Sequence, residues 1–115
     1  MPIRGSCHCG KIAFTLDEDM PTGAMTCNCS ICRRKGYLLH FSTPDKFTLE
    51  GSREDIQVYT FASHKIRHQF CKTCGCAPFG EGEGPKGPAA VINLRCVEDA
   101  DLAAIKVTEF DGASL

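Results

Sequence analysis

The sequence predicts an all-β protein held together by bound metal, and three observations predict it. Apolar and polar residues alternate with period two in several short runs, helix-period segments are scarce, and eight of the nine cysteines in 115 residues fall at C-x-C and C-x-x-C spacings. One domain spanning residues 1–115 is expected from the length. A chain this short buries only about two-thirds of the surface it exposes when unfolded, so metals or disulfides often supplement its core. An odd number of cysteines at these spacings suits metal better than the competing disulfide framework, because C-x-C is too tight for an unstrained bridge within itself.

The first element is Cys7-His8-Cys9-Gly10, and its partner is Phe70-Cys71-Lys72-Thr73-Cys74-Gly75. In each, closely spaced thiolates precede a glycine able to take the positive φ that such a turn needs. Four sulfurs from Cys7, Cys9, Cys71 and Cys74 complete a tetrahedral zinc site that ties the start of the chain to its middle.

After the first pair, Lys11 to Leu16 alternates as a half-buried strand, with Ile12, Phe14 and Leu16 facing the core. Asp17-Glu18-Asp19, Pro21 and Gly23 then form an acidic surface turn. Next, Cys27, Cys29 and Cys32 place three sulfurs within six residues. Three thiolates can share one zinc whose fourth position stays open to substrate, where the ion acts as a Lewis acid or holds a thiolate. The competing reading makes one or two of them ligands of the first site, or plain buried cysteines. Arg33-Arg34-Lys35-Gly36 follows as a short helical turn ending at glycine. Its cations are either a solvated face or positive potential that attracts an anionic thiol.

Further strands are expected over Tyr37 to Ser42, Phe47 to Leu49, Ile56 to Phe61, Ile66 to Phe70 and Ala89 to Leu94. Residues 80–88, rich in glycine and proline, read as a mobile loop and a candidate lid. Asp101 to Ile105 amounts to a short helical turn at most. Cys76 and Cys96 lie outside the seven expected ligands. No general base is singled out; Tyr37, His40, His64 and His68 are the candidates, with His68 expected to pack or hydrogen-bond near the site.

The N-terminus has no apolar signal-like stretch and no apolar run approaches the ~20 residues of a membrane span, so a cytoplasmic protein with reduced thiols and no membrane partner is expected. A net charge of −1 and a pI near 6.4 lack the basic excess of a dedicated nucleic-acid binder.

With these pieces in place the chain resembles the glutathione-dependent formaldehyde-activating enzyme family, which also includes centromere protein V. The resemblance rests on four blocks in order: Gly5 to Gly10, Cys27 to Arg33, His68 to Gly75, and Asn93-Leu94-Arg95-Cys96 with Phe110-Asp111-Gly112. It implies a zinc-clipped β-tent of twisted antiparallel sheets, a structural zinc on Cys7, Cys9, Cys71 and Cys74, and a second zinc on Cys27, Cys29 and Cys32. It also implies a carbon–sulfur lyase activity that joins glutathione and formaldehyde reversibly as S-hydroxymethylglutathione. The alternative from another class is a non-catalytic zinc scaffold for protein or nucleic-acid contacts, with Arg33, Arg34 and Lys35 as its surface.

Overall fold

The computed structural model describes residues 2–84 and 87–114. The period-two runs become strands in two sheets. The smaller sheet joins β1 (Ile3–Ser6), β2 (Ile12–Leu16) and β5 (Phe47–Gly51) in the order β1-β2-β5, all antiparallel. The larger contains β3 (Gly23–Cys27), β4 (Leu39–Ser42), β6 (Ile56–Tyr59), β7 (Arg67–Cys71), β8 (Phe79–Gly84), β9 (Gly87–Asn93) and β10 (Lys106–Phe110). Its order is β10-β3-β4-β9-β8-β7-β6. A six-residue helix, α1 (Ser30–Lys35), links β3 to β4. No helix among the described residues is long and apolar enough to cross a membrane.

Alternation puts Ile12, Phe14 and Leu16 of β2 on one face, and all three are buried as expected. Phe14 stacks on Phe47 at 5.7 Å between ring centroids, and Phe47 meets Phe79 of the larger sheet at 4.8 Å. These rings join the sheets, with Ile56, Ile92 and Leu94 filling the core around them. Burying a side chain the size of Phe14 stabilises by about 1.5–3 kcal/mol. The packing leaves no room beside β1: a Cβ on Gly5 would meet the Phe14 ring at 2.6 Å and the Cys96 carbonyl oxygen at 2.8 Å.

Two expectations change. The sheets are not wholly antiparallel, because β10 runs parallel to β3, with Lys106 opposite Gly23 and Phe110 opposite Cys27. Residues 80–88 are not a mobile loop: β8 and β9 pair along their length as a hairpin that narrows to Gly84 opposite Gly87, while 85–86 lie outside the described residues. The glycines of β8 are packing positions. A Cβ on Gly80 would stand 3.1 Å from the Arg67 carbonyl oxygen, and one on Gly82 would stand 3.2 Å from Ile66 Cγ1.

Candidate functional site

Two tight turns of similar design bring the first four cysteines together. In one, the Cys7 amide donates to the Ile12 carbonyl at 2.9 Å and the Gly10 amide to the Cys7 carbonyl at 3.3 Å. In the other, the Cys71 amide donates to the Cys76 carbonyl and the Gly75 amide to the Cys71 carbonyl, both at 2.9 Å. Gly10 and Gly75 close the turns at φ of 84° and 80°, a region where a side chain is strained. Amides point back at the sulfurs: Ile12 N–H lies 3.4 Å from Cys7 Sγ and Thr73 N–H 3.3 Å from Cys71 Sγ.

The four Sγ atoms all lie within 4.8 Å of one another, and Cys7–Cys9 and Cys9–Cys71 are each 3.6 Å apart. A disulfide would bring a pair to about 2.05 Å. A tetrahedron with Zn–S of about 2.3 Å has edges of about 3.8 Å, so the spacing fits that ion. The sulfurs divide their protons accordingly. Amides of Cys76 and Cys9 hold the Cys74 thiol down to about 5. The Lys11 amide acts to lower Cys9, but desolvation and the thiols of Cys71, Cys7 and Cys74 push it up to about 11. Four adjacent sulfurs cannot all ionise without a cation among them.

The middle trio is built differently. Strand β3 delivers Cys27, and Cys29 caps α1 by accepting the Cys32 amide at 3.4 Å. Gly36 ends the helix in the left-handed region at φ 70°, as the glycine after Lys35 predicts. All three sulfurs lie within 4.8 Å of one another, half-buried. Burial works against ionisation of Cys29, yet the amides of Cys32 and Ile31 and the thiols of Cys32 and Cys27 together hold it below the ordinary thiol range. Burial pushes Cys32 far up, as do its hydrogen bond to Cys29 and the negative charge of Cys29 and Cys27. The trio is a separate cluster from the first four, so the reading in which its members complete that site is not what the fold builds.

The trio opens onto a cavity of about 540 Å³ that Tyr37 and His68 also line. The His68 ring lies near-parallel to Phe61 at 5.6 Å and to Tyr37 at 6.4 Å. Burial first, and then the charge of Lys35, lower the His68 pKa, while burial and the Cys32 and Cys29 charges push Tyr37 up to about 12. The other two candidate bases are elsewhere. His40 faces away from Leu39 and Phe41, which line the cavity, and bonds Glu18 at 3.0 Å, with Ser42 donating to the same carboxylate. His64 is exposed, bonded to Thr60 at 2.8 Å.

Of the three cations after the trio, Arg34 and Lys35 line a shallow groove with Tyr59 and Phe61, and Arg33 does not. Ile31 and Phe61 are walls of both groove and cavity.

The sequence matches the family described as glutathione-dependent formaldehyde-activating enzyme over residues 2–110. The chain belongs to that family. A Halomonas elongata protein named as a candidate glutathione-dependent formaldehyde-activating enzyme is 31% identical over 112 residues, covering 89% of this chain and 69% of that protein. A crystal structure of a Rhodobacter sphaeroides protein superposes with a TM-score of 0.75 at 25% identity, covering 92% of this chain and 100% of the other. The four sequence blocks that carry the family resemblance are thus gathered into two thiol clusters and the strands that present them.

The role of the tail in this glutathione-dependent formaldehyde-activating family member is hidden from sequence reasoning. Asn28 donates to Asp111 at 2.9 Å and accepts the Ala113 amide at 2.9 Å, which lays Gly112 against the trio. A Cβ there would fall 2.5 Å from Cys27 Sγ. The Phe110-Asp111-Gly112 block was the available signal, but nothing in it names Asn28 as its partner. Phe61 also escaped notice, since it reads only as a strand residue.

Proposed function

We propose that this chain is a zinc-dependent carbon–sulfur lyase acting on the adduct of a small thiol and an aldehyde, with glutathione the first candidate thiol and formaldehyde the reference aldehyde. In this reading residues 1–115 act as one domain, clipped by a structural zinc on Cys7, Cys9, Cys71 and Cys74. Cys27, Cys29 and Cys32 hold a second zinc with an open position. The observation that carries the reading is that three mutually adjacent thiols share one cavity with Tyr37 and His68. Family membership supports it.

A zinc ion on the trio would lower the pKa of a thiol or polarise a carbonyl oxygen, whichever of the two occupied its open position. The reaction itself conserves all atoms. A C–S bond forms between thiol sulfur and carbonyl carbon, the carbonyl π pair moves to oxygen, and the thiol proton ends on that oxygen; cleavage is the reverse. His68, kept neutral near pH 7 by burial, takes the thiol proton. Tyr37, protonated over the same range, donates to the oxygen, and solvent returns a proton to Tyr37 as His68 releases the one it took, so the net change is one proton passed from thiol to oxygen. Arg34 and Lys35 offer the adjoining groove to the carboxylates of the thiol.

The test is a metal count on protein prepared anaerobically, followed by an assay of glutathione consumption with and without aldehyde. Two zinc ions per chain and saturable, aldehyde-dependent consumption are expected. One zinc or none with no consumption, alongside tight and salt-sensitive binding to DNA, would instead establish the scaffold.

A further inference from the structure

The cavity beside the trio is far too large and too apolar for formaldehyde. Met25, Leu39, Phe61, Phe79 and Val91 form much of its wall, and none of its lining residues among the described ones is Lys, Arg, Asp or Glu. The amide side chain in the described lining is already occupied: Asn93 Oδ1 accepts from the Leu38 and Arg95 amides at 3.2 Å, and its Nδ2 donates to the Ala77 carbonyl at 3.1 Å. Beyond the thiols, Tyr37 and His68 are the polar side chains left to meet a ligand among the described residues. A water molecule takes about 30 Å³ of liquid, and hydrated formaldehyde is little larger, so a space of about 540 Å³ would remain mostly wet around it.

The charged tripeptide of glutathione does not suit these walls either, because an unpaired buried charge costs several kcal/mol or more. Its carboxylates match Arg34 and Lys35 in the groove beyond Ile31 and Phe61. That leaves the cavity for something apolar. Its rim presents Phe41, Ile66 and Phe110 with 51%, 50% and 43% of their surface exposed, and an apolar occupant would cover all three.

Building on the thiol–aldehyde reading above, we infer that the cavity holds the carbon substituent of the aldehyde. The substrate is then the adduct of an aldehyde bearing a medium-length aliphatic or aromatic group. The bond changes are those of the parent reaction: sulfur joins the carbonyl carbon, the π pair and thiol proton pass to oxygen, and no oxidant or reductant takes part. Only the group carried on that carbon differs.

The experiment separates the occupant from the chemistry. Amide spectra of the zinc-loaded chain are followed during titration with ethanol, 1-butanol, 1-hexanol and 1-octanol, unreactive probes that offer the substituent alone. Saturable shifts at Ile31, Leu39, Phe41, Val91 and Phe110 are expected, with affinity rising about fourfold per buried methylene. In parallel, kcat/KM for hexanal with glutathione should exceed that for formaldehyde with glutathione by at least about tenfold. Val91→Phe should weaken octanol binding by at least about tenfold; Phe41→Ala, at the exposed rim, provides a second variant that should weaken it about threefold or more.

Alcohols that bind with the chain-length slope while no aldehyde is consumed would uphold the apolar site and overturn the lyase reading. Formaldehyde turned over best, with no alcohol slope, would overturn the inference and leave the lyase reading standing. Shifts that ignore the alcohols and instead grow with protein concentration would also overturn it, marking the rim as a contact between copies.

Discussion

Asn28 and Asp111, separated by 83 positions, meet at 2.9 Å and fasten the tail across the middle thiol cluster. The same asparagine takes the Ala113 amide, and its own amide reaches the Phe110 carbonyl at 3.2 Å, so one side chain and its backbone hold the tail at three points. The Cys27 sulfur and the Cys29 Cβ therefore pack against backbone, at the one residue type that has no Cβ to displace them.

Gly112→Ala should push the tail off Cys27, costing about 1–3 kcal/mol and the second zinc while the first remains. Asp111→Ala removes two exposed hydrogen bonds, from Asn28 and from Ser114, and should cost about 1 kcal/mol or less. Urea midpoints and zinc content distinguish them. Equal, small effects would show that the tail is not confined there.

The two clusters should fail differently. Cys74→Ser opens a site that joins segments far apart in the chain, and should leave the protein unfolded at 37 °C and unable to retain zinc. Cys29→Ser disturbs a site whose ligands lie within one turn and a short helix, so folding should persist with one zinc and no activity. Thermal melts with metal analysis check both. Matching melts would end the division of roles.

Acid should destabilise the protein partly through His68. Its folded pKa lies below the ordinary 6.5, because burial and then Lys35 disfavour the charged ring, so the unfolded chain binds the proton first as pH falls. The stability is present in full above about 6.5, is lost as pH falls from there toward the lower folded value, and levels off below it. Other acid-sensitive groups act in both proteins, so the difference between wild type and His68→Gln isolates this residue. That difference, read from urea midpoints between pH 8 and 5, should be constant above about pH 7 and shift in favour of the variant on the acid side. A difference flat across the range would refute a neutral buried ring.

Phe14→Ala should cost about 3–5 kcal/mol, because the ring is fully buried and joins the two sheets through Phe47 and Phe79. Chemical denaturation with zinc held constant measures it.

Much of this fold was readable in the sequence where burial imposes a period. Ile12, Phe14 and Leu16 alternate because one face of β2 is sealed, and Gly36 ends α1 because only glycine easily takes the left-handed cap. The four outer thiols and the middle three stand as two groups of neighbouring sulfurs, a division that spacing alone left open because members of the trio could equally have joined the first site. What escaped had no period to read. The residues of β10 are all exposed, so no buried face marks it as a strand, and its parallel pairing with β3 depends on partners far away. The glycines of β8 suggested looseness, but their lack of side chains lets Arg67 and Ile66 approach. Nothing local to Tyr37, Phe61 or His68 says that they share one wall; only the closed sheet shows it.

The parallel pairing of β10 with β3 has a consequence in time. Those strands, like the turns that carry Cys9 and Cys71, meet only after long loops close, and such topologies fold in milliseconds to seconds rather than microseconds. For that interval nine thiols are exposed to whatever oxidant is present. Refolding yield is thus a race between strand docking and stray disulfide formation, and dilution from denaturant into reductant-free buffer should trap cross-linked chains that dilution under reductant with zinc does not.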